Sequence, residues 1–180
     1  MSKVLIISSS LRANSNSDVL AEKVAEGARG VGHEVEVVSL KGKEIKFCIG
    51  CLSCQRTKKC VLNDDVNEIR EKVRLADTLV FATPIYYYEM SEQLKTFLDR
   101  MNPLYVSDYN FKNVYMVSTA TEDEESTPEK AINGLQGWVD CFDGVELVDS
   151  LFLGGNTNPN DARKNENQLT LAYDFGKNLK

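Results

Sequence analysis

Four cysteines crowd into one short stretch, Cys48-x2-Cys51-x2-Cys54-x5-Cys60, and thiolates this close in sequence can converge on one tetrahedral metal or one cubane cluster. The C-x2-C-x2-C core is compact enough for an iron–sulfur cluster. The last interval departs from the ferredoxin run, which has three intervening residues and a following Pro where this chain has Val61. Gly50 frees the backbone to wrap, and Lys58 and Lys59 beside Cys60 either lower thiol pKa values or are simply solvated lysines. Zinc and free, redox-active thiols are the alternatives that the spacing leaves open. A second chemistry is written near the start. The apolar run Val4-Leu5-Ile6-Ile7 is followed by Ser8-Ser9-Ser10-Leu11-Arg12-Ala13-Asn14-Ser15-Asn16-Ser17 and then by helix-period sequence. A strand-to-helix loop of this kind offers unpaired N–H groups and the positive end of a helix dipole to an anion. Ser10, Ser15 and Ser17 add hydroxyl donors, Asn16 an amide and Arg12 a permanent cation. Ser and Asn are also ordinary caps, so a plain helix start explains the same residue types. The loop has neither G-x-G-x-x-G nor Gly-Lys-Ser/Thr, which removes the dinucleotide turn and the P-loop. A phosphate monoester held by hydroxyls points to FMN.

Placing these groups requires a scaffold, and strand-like runs alternate with helix-period runs along the whole chain. The strands read Lys3–Ser9, Glu34–Ser39, Thr78–Ala82, Asn113–Ser118 and Val145–Leu153. Between and after them, apolar residues recur at helical spacing: Leu20, Val24, Ala28, Val31; Val66, Ile69, Val73; Leu94, Phe97, Leu98, Met101; Ala131, Leu135, Trp138, Phe142; and Leu169, Ala172, Phe175, Leu179. The expected fold class is α/β: a doubly wound, five-stranded parallel sheet in the flavodoxin-like order 2-1-3-4-5, forming one domain over residues 1–180. Ligands of such sheets sit beyond the carboxyl ends of the strands, so the loops after strands one, three and four should meet. The loop after strand three is Thr83-Pro84-Ile85-Tyr86-Tyr87-Tyr88-Glu89-Met90-Ser91. So much aromatic surface on a loop calls for a flat ring, another subunit, or both.

The 180 residues carry a net charge of −6, which argues against nucleic acid and anionic membrane surfaces as partners. No run approaches the length of a membrane span and no signal-like segment opens the chain, so a cytoplasmic location is expected. With His33 as the single histidine, no Ser-His-Asp or metal-hydrolase constellation can be assembled. The fifth cysteine, Cys141, falls on a helix-period run and reads as core packing.

Taken together, Ser9-Ser10-Leu11-Arg12 with Ser15-Asn16-Ser17, Asp64-Asp65, Ala76-Asp77, Thr83-Pro84-Ile85-Tyr86, and Leu94-Lys95 with Asp99-Arg100 resemble the NAD(P)H-dependent FMN reductase family over residues 3 to about 120. The resemblance implies that Ser10, Arg12, Ser15, Asn16 and Ser17 bind the FMN phosphate. It further implies that Pro84, Ile85, Tyr86 and Tyr87 hold the isoalloxazine, and that Thr119, Ala120 and Thr121 border it. Three departures stand out: Ser9 replaces a usual Gly, Leu11 a common Pro, and the third loop turns acidic at Glu122–Glu125 rather than Gly-rich. The cysteine run resembles that of the iron-sulfur flavoproteins, which implies a [4Fe-4S] cluster on Cys48, Cys51, Cys54 and Cys60. The implied activity is hydride transfer from NAD(P)H, as co-substrate, through flavin to a quinone, flavin or other small-molecule electron acceptor. The alternative is an electron carrier served by a ferredoxin-like donor, and a thiol redox or zinc-binding module is a third. The aromatic loop suggests a homodimer or higher homo-oligomer.

Overall fold

The first and third apolar runs divide their side chains between two cores, which is why both read as unbroken hydrophobic stretches. In a computed structural model describing residues 1–180, Val4, Ile6, Val80, Ala82, Tyr115 and Val117 belong to one core. Leu5, Ile7, Leu79, Phe81, Val114 and Met116 belong to the other. Strand side chains alternate with period two, so these residues line opposite faces of one sheet that is buried on both. The strands are β1 (Lys3–Ser8), β2 (Glu34–Ser39), β3 (Thr78–Tyr86), β4 (Glu89–Met90), β5 (Asn113–Thr119) and β6 (Glu146–Leu153). The helices are α1 (Asn16–Gly30), α2 (Ser53–Thr57), α3 (Val66–Leu75), α4 (Glu92–Asp99), α5 (Glu129–Val139) and α6 (Glu166–Lys177). Leu20, Val24 and Ala28 of α1 and Ala172 of α6 cover one face. Val66, Ile69 and Val73 of α3, Leu94 and Phe97 of α4, and Ala131 and Leu135 of α5 cover the other.

The parallel strands run β2-β1-β3-β5-β6, which is the expected 2-1-3-4-5 order. The sheet has six strands rather than five because β3 continues past Ala82. Thr83 and Pro84 pair with Ser118 and Thr119, and Ile85 and Tyr86 then fold back antiparallel onto Met90 and Glu89 of β4. The two-residue turn is Tyr87-Tyr88, at φ 51° and 67°. Paired positive φ suits a tight hairpin but favours Asn-Gly, and bulky side chains are strained there. Sequence therefore offers no turn signal at this point. Cys141 also departs from expectation: α5 ends at Val139, and Cys141 follows in an exposed turn. Trp138 and Phe142 do pack inward, with Trp138 edge-on to Phe81. No helix is long and apolar enough to cross a membrane.

Helices α1 and α6 approach backbone to backbone. A Cβ on Gly27 would stand 2.0 Å from the Tyr173 carbonyl oxygen, and one on Gly176 would stand 2.0 Å from the Val24 carbonyl oxygen. Neither atom can swing aside as a flexible side chain would. Gly176→Ala is therefore expected to cost about 1–3 kcal/mol through overpacking. A thermal melt should show a midpoint lowered by about 2–4 °C per kcal/mol lost, and an unchanged midpoint would contradict this close packing.

Candidate functional site

The loop after β1, the end of β3, the end of β5 with the residues that follow it, and the segment after β6 meet around one cavity at the carboxyl edge of the sheet; the expected loop after strand three is thus the extension of β3 itself. The first loop spends some hydroxyls on bracing and leaves others free. Ser9, wholly buried, donates from Oγ to the Ala82 carbonyl at 3.2 Å and shares a 2.9 Å hydrogen bond with Ser91 Oγ. The Ser91 backbone N–H donates to Thr83 Oγ1 at 3.1 Å, and Ser91 Oγ caps α4 by accepting from the Leu94 N–H. The hydroxyl at position 9 thus locks together three segments where a Gly would supply only freedom.

Ser10, Arg12, Ser15, Asn16 and Ser17 all border the cavity. Ser15 Oγ accepts from the Asp18 N–H at 3.0 Å as the α1 cap, and its O–H remains available to donate. Ser17 Oγ is buried and has no partner. An unsatisfied buried hydroxyl costs roughly 1–3 kcal/mol. Here it sits in the first turn of a helix, among N–H groups that no carbonyl of the helix reaches. That donor set complements a phosphate. Two other expected anion donors are engaged within the chain. Asn16 Nδ2 donates to the Asn158 carbonyl at 2.9 Å while its Oδ1 accepts from the Ala162 N–H at 3.0 Å, and Arg12 Nη1 donates to the Thr157 carbonyl at 2.8 Å.

Pro84, Ile85 and Tyr86 form a second wall, and Thr119, Ala120 and Thr121 a third. Tyr87 does not join them: it is 99% exposed at the hairpin tip, where the turn has carried it past the cavity. Asn156 and Thr157, which sequence reasoning missed, complete the enclosure. Asn156 Nδ2 donates to Thr119 Oγ1 and to Gln168 Oε1, each at 2.9 Å, and its backbone N–H donates to the Ala120 carbonyl at 2.8 Å. Gly154 makes this crossing possible, since a Cβ there would lie 2.3 Å from the Glu122 carbonyl oxygen. A signal was present in Gly154-Gly155-Asn156-Thr157-Asn158, a turn-forming run directly after the last strand. Glu122–Glu125 are all exposed.

The cysteines form a second site, on the connection from β2 to α3. Positive φ at Gly50 (64°), Leu52 (55°) and Lys58 (57°) folds this connection around α2. Cys48, Cys51, Cys54 and Cys60 are all free thiols and line one cavity together with Asp99, Arg100 and Asn102. No three His, Cys, Asp or Glu side chains are placed to hold a single metal ion; Cys54 is buried, Cys60 half-buried, and Cys48 and Cys51 exposed. The donor set these four residues offer is all thiolate, the set that iron–sulfur clusters take and that zinc also accepts. Burial pushes the Cys54 thiol up, as do Cys60 and Cys51, although its own backbone N–H and Asn102 oppose this.

Asp64 and Arg100, two of the residues that carried the family resemblance, brace this loop as an ion pair with no side-chain exposure. Arg100 Nη1 and Nη2 grip the two Asp64 oxygens, and Nη1 also donates to the Lys46 carbonyl at 2.7 Å. Asp64 Oδ2 additionally accepts from the Lys46 N–H at 2.8 Å. Burial disfavours both charges. Even so, these hydrogen bonds hold the Asp64 carboxyl below its ordinary range, while Asp64 and the adjacent Cys60 raise the Arg100 guanidinium above its own.

A parallel 2-1-3-4-5 sheet with an anion-receptive helix start at its switch point defines a flavodoxin-like protein. The chain belongs to the NADPH-dependent FMN reductase family, whose family model matches residues 2–139. It is 39% identical over 102 residues to an iron-sulfur flavoprotein of Methanocaldococcus jannaschii, covering 57% of this chain and 53% of that one. An iron-sulfur flavoprotein of Methanosarcina thermophila is 30% identical over 156 residues, 86% of this chain and 82% of the other. The chain spans about half the length of the first curated relatives it matches, 53% and 46%. The structure of an NAD(P)H:quinone oxidoreductase from Methanothermobacter marburgensis has a TM-score of 0.78 at 23% identity, covering 99% of this chain and 96% of that one. Asn156 and Thr157 lie beyond the segment that the family model matches.

Proposed function

We propose that this protein is an FMN-dependent NAD(P)H oxidoreductase that reduces a small acceptor such as a quinone or free flavin. The observation that carries the reading is the buried, unpartnered Ser17 hydroxyl at the start of α1, in a cavity closed by the loop after β1 and the ends of β3 and β5. The chemistry supplied by a bound FMN is acceptance of hydride from a reduced nicotinamide and its onward delivery to an acceptor. Ser10, Ser15 and Ser17, with the first-turn N–H groups of α1, would hold the phosphate. Arg12, whose Nη1 donates to the Thr157 carbonyl, would hold the first loop against the segment after β6. Pro84, Ile85 and Tyr86 would bound the isoalloxazine on one side, and Thr119, Ala120 and Thr121 on another. Tyr86, Tyr87, Tyr88 and Phe47 are exposed large hydrophobics, and a second copy of the chain covering some of them would complete the apolar surroundings of the ring.

The four-cysteine cavity favours an added feature of this reading, a [4Fe-4S] cluster beside the flavin activity. Its donor set is all sulfur, and the two relatives described above are named iron-sulfur flavoproteins. The deciding experiment is an absorption spectrum of anaerobically purified protein before and after NADH. Two resolved flavin bands that bleach rapidly with NADH are expected, over a broad brown shoulder. A colourless protein that takes up no added FMN would overturn the oxidoreductase reading. In Cys51→Ser the shoulder and the bound iron should vanish while the flavin bands remain.

A further inference from the structure

Arg100 is the largest of the side chains wholly removed from solvent, and its visible partners use only part of its hydrogen-bonding capacity. A guanidinium carries five N–H donors. The two terminal nitrogens face Asp64 and the Lys46 carbonyl, which leaves the lateral edge of the group unused. Nε on that edge is buried and has no acceptor. Buried donors of charged groups are rarely left unpaired, because each forfeits its hydration without compensation. No oxygen of the chain satisfies this one. The guanidinium instead borders the cavity that the four cysteines line, with Cys60 beside it. In the same cavity Asn102 Nδ2 already donates to Cys54 Sγ at 3.3 Å.

We propose that Arg100 and Asn102 are positioning residues for the iron–sulfur cluster, donating from Nε–H and Nδ2–H to the sulfurs of Cys60 and Cys54 and raising the reduction potential of the cluster. The proposal rests on the iron–sulfur reading given above. Hydrogen bonds to cluster sulfurs are a principal control of potential, and their sign follows from charge. Reduction adds negative charge to the sulfurs, so an N–H donor stabilises the reduced form more than the oxidised one. The Asp64 carboxylate balances most of the guanidinium charge at close range. What Arg100 presents to sulfur is therefore a directed N–H dipole rather than an unscreened cation, which makes its geometry decisive.

The test uses full-length protein reconstituted anaerobically with iron and sulfide, as wild type, Arg100→Lys and Asn102→Ala. Lysine keeps a cation for Asp64 but has no donor at the Nε position. Iron, sulfide and flavin contents are assayed, and the cluster is titrated potentiometrically while its paramagnetic signal is followed. Each variant is expected to retain its cluster with a reduction equilibrium shifted about tenfold toward the oxidised form, about 59 mV lower for a one-electron couple. The flavin potential should stay in place. Loaded clusters with unmoved potentials would overturn the proposal while leaving the iron–sulfur reading standing. Failure of the wild type to take up iron and sulfide would overturn both. Asn102 is not part of the Asp64 ion pair, so its variant decides the matter if Arg100→Lys does not accumulate as folded protein.

Discussion

Ser10→Asp is expected to yield a folded protein that purifies without flavin, with FMN affinity reduced by about a hundredfold to a thousandfold. Ser10 is 2% exposed and borders the cavity at the start of α1, so a carboxylate there would face the phosphate instead of donating to it. Two like charges about 4 Å apart at an effective dielectric of about 20 repel by about 4 kcal/mol, close to three decades of affinity. The cavity is partly open, which places the expectation slightly lower. Fluorescence titration of the apoprotein with FMN measures the effect, and circular dichroism confirms that the fold persists. A Ser10→Asp protein that keeps its flavin would move the phosphate elsewhere. Ser17→Ala provides a comparison of opposite character. It removes a buried hydroxyl that has no partner in the free protein, so the apoprotein should melt no lower than wild type, whereas FMN should bind about tenfold more weakly. A hydroxyl that served only the fold would not separate the two readouts in this way.

Removing one half of the Asp64–Arg100 pair should be the most destabilising single change near the cysteines. Both side chains have no exposure, and Asp64→Ala would strand a buried guanidinium at a cost of about 3–5 kcal/mol, or about 6–20 °C in melting temperature. Asp64→Asn combined with Arg100→Met removes both charges and should recover much of that loss, because a buried pair replaced as a unit is often near neutral. If the double variant is no more stable than Asp64→Ala alone, the pair is not acting as a coupled unit. The pair also sets a sign for pH dependence. The folded state lowers the Asp64 pKa, so its contribution is complete above the ordinary value of 3.8 and disappears as pH falls through the lower folded value. Acid unfolding of the wild type should therefore be steeper below about pH 4 than that of the double variant.

Much of this site is legible in the sequence. The period-two division of Val4-Leu5-Ile6-Ile7 and the helical spacing of Leu20, Val24 and Ala28 assign faces to β1 and α1, because burial is imposed residue by residue along a regular element. Once the element order is known, crossover handedness leaves few strand orders, and the segments that carry Ser10–Ser17, Pro84–Tyr86 and Thr119–Thr121 are brought to one edge. The cysteine spacing was equally plain. Other features depend on contacts between segments that share no local pattern. Asn16 reaches the Asn156 carbonyl across 140 positions, and nothing about either residue alone announces the other. The Tyr87-Tyr88 turn runs against the residue preferences of tight hairpins and persists because β3 and β4 pair on either side of it. Asp64 and Arg100 read as two charged residues of an acidic chain, and only the packing of the cysteine loop against the end of α4 removes both from water. Local sequence thus determined which residues face the cores and which loops share an edge, because periodic burial is a short-range property. The tertiary structure decided which polar groups are satisfied, and so that Ser17 Oγ and Arg100 Nε stand free, because hydrogen-bond satisfaction inside a protein is settled by every segment that packs around the group.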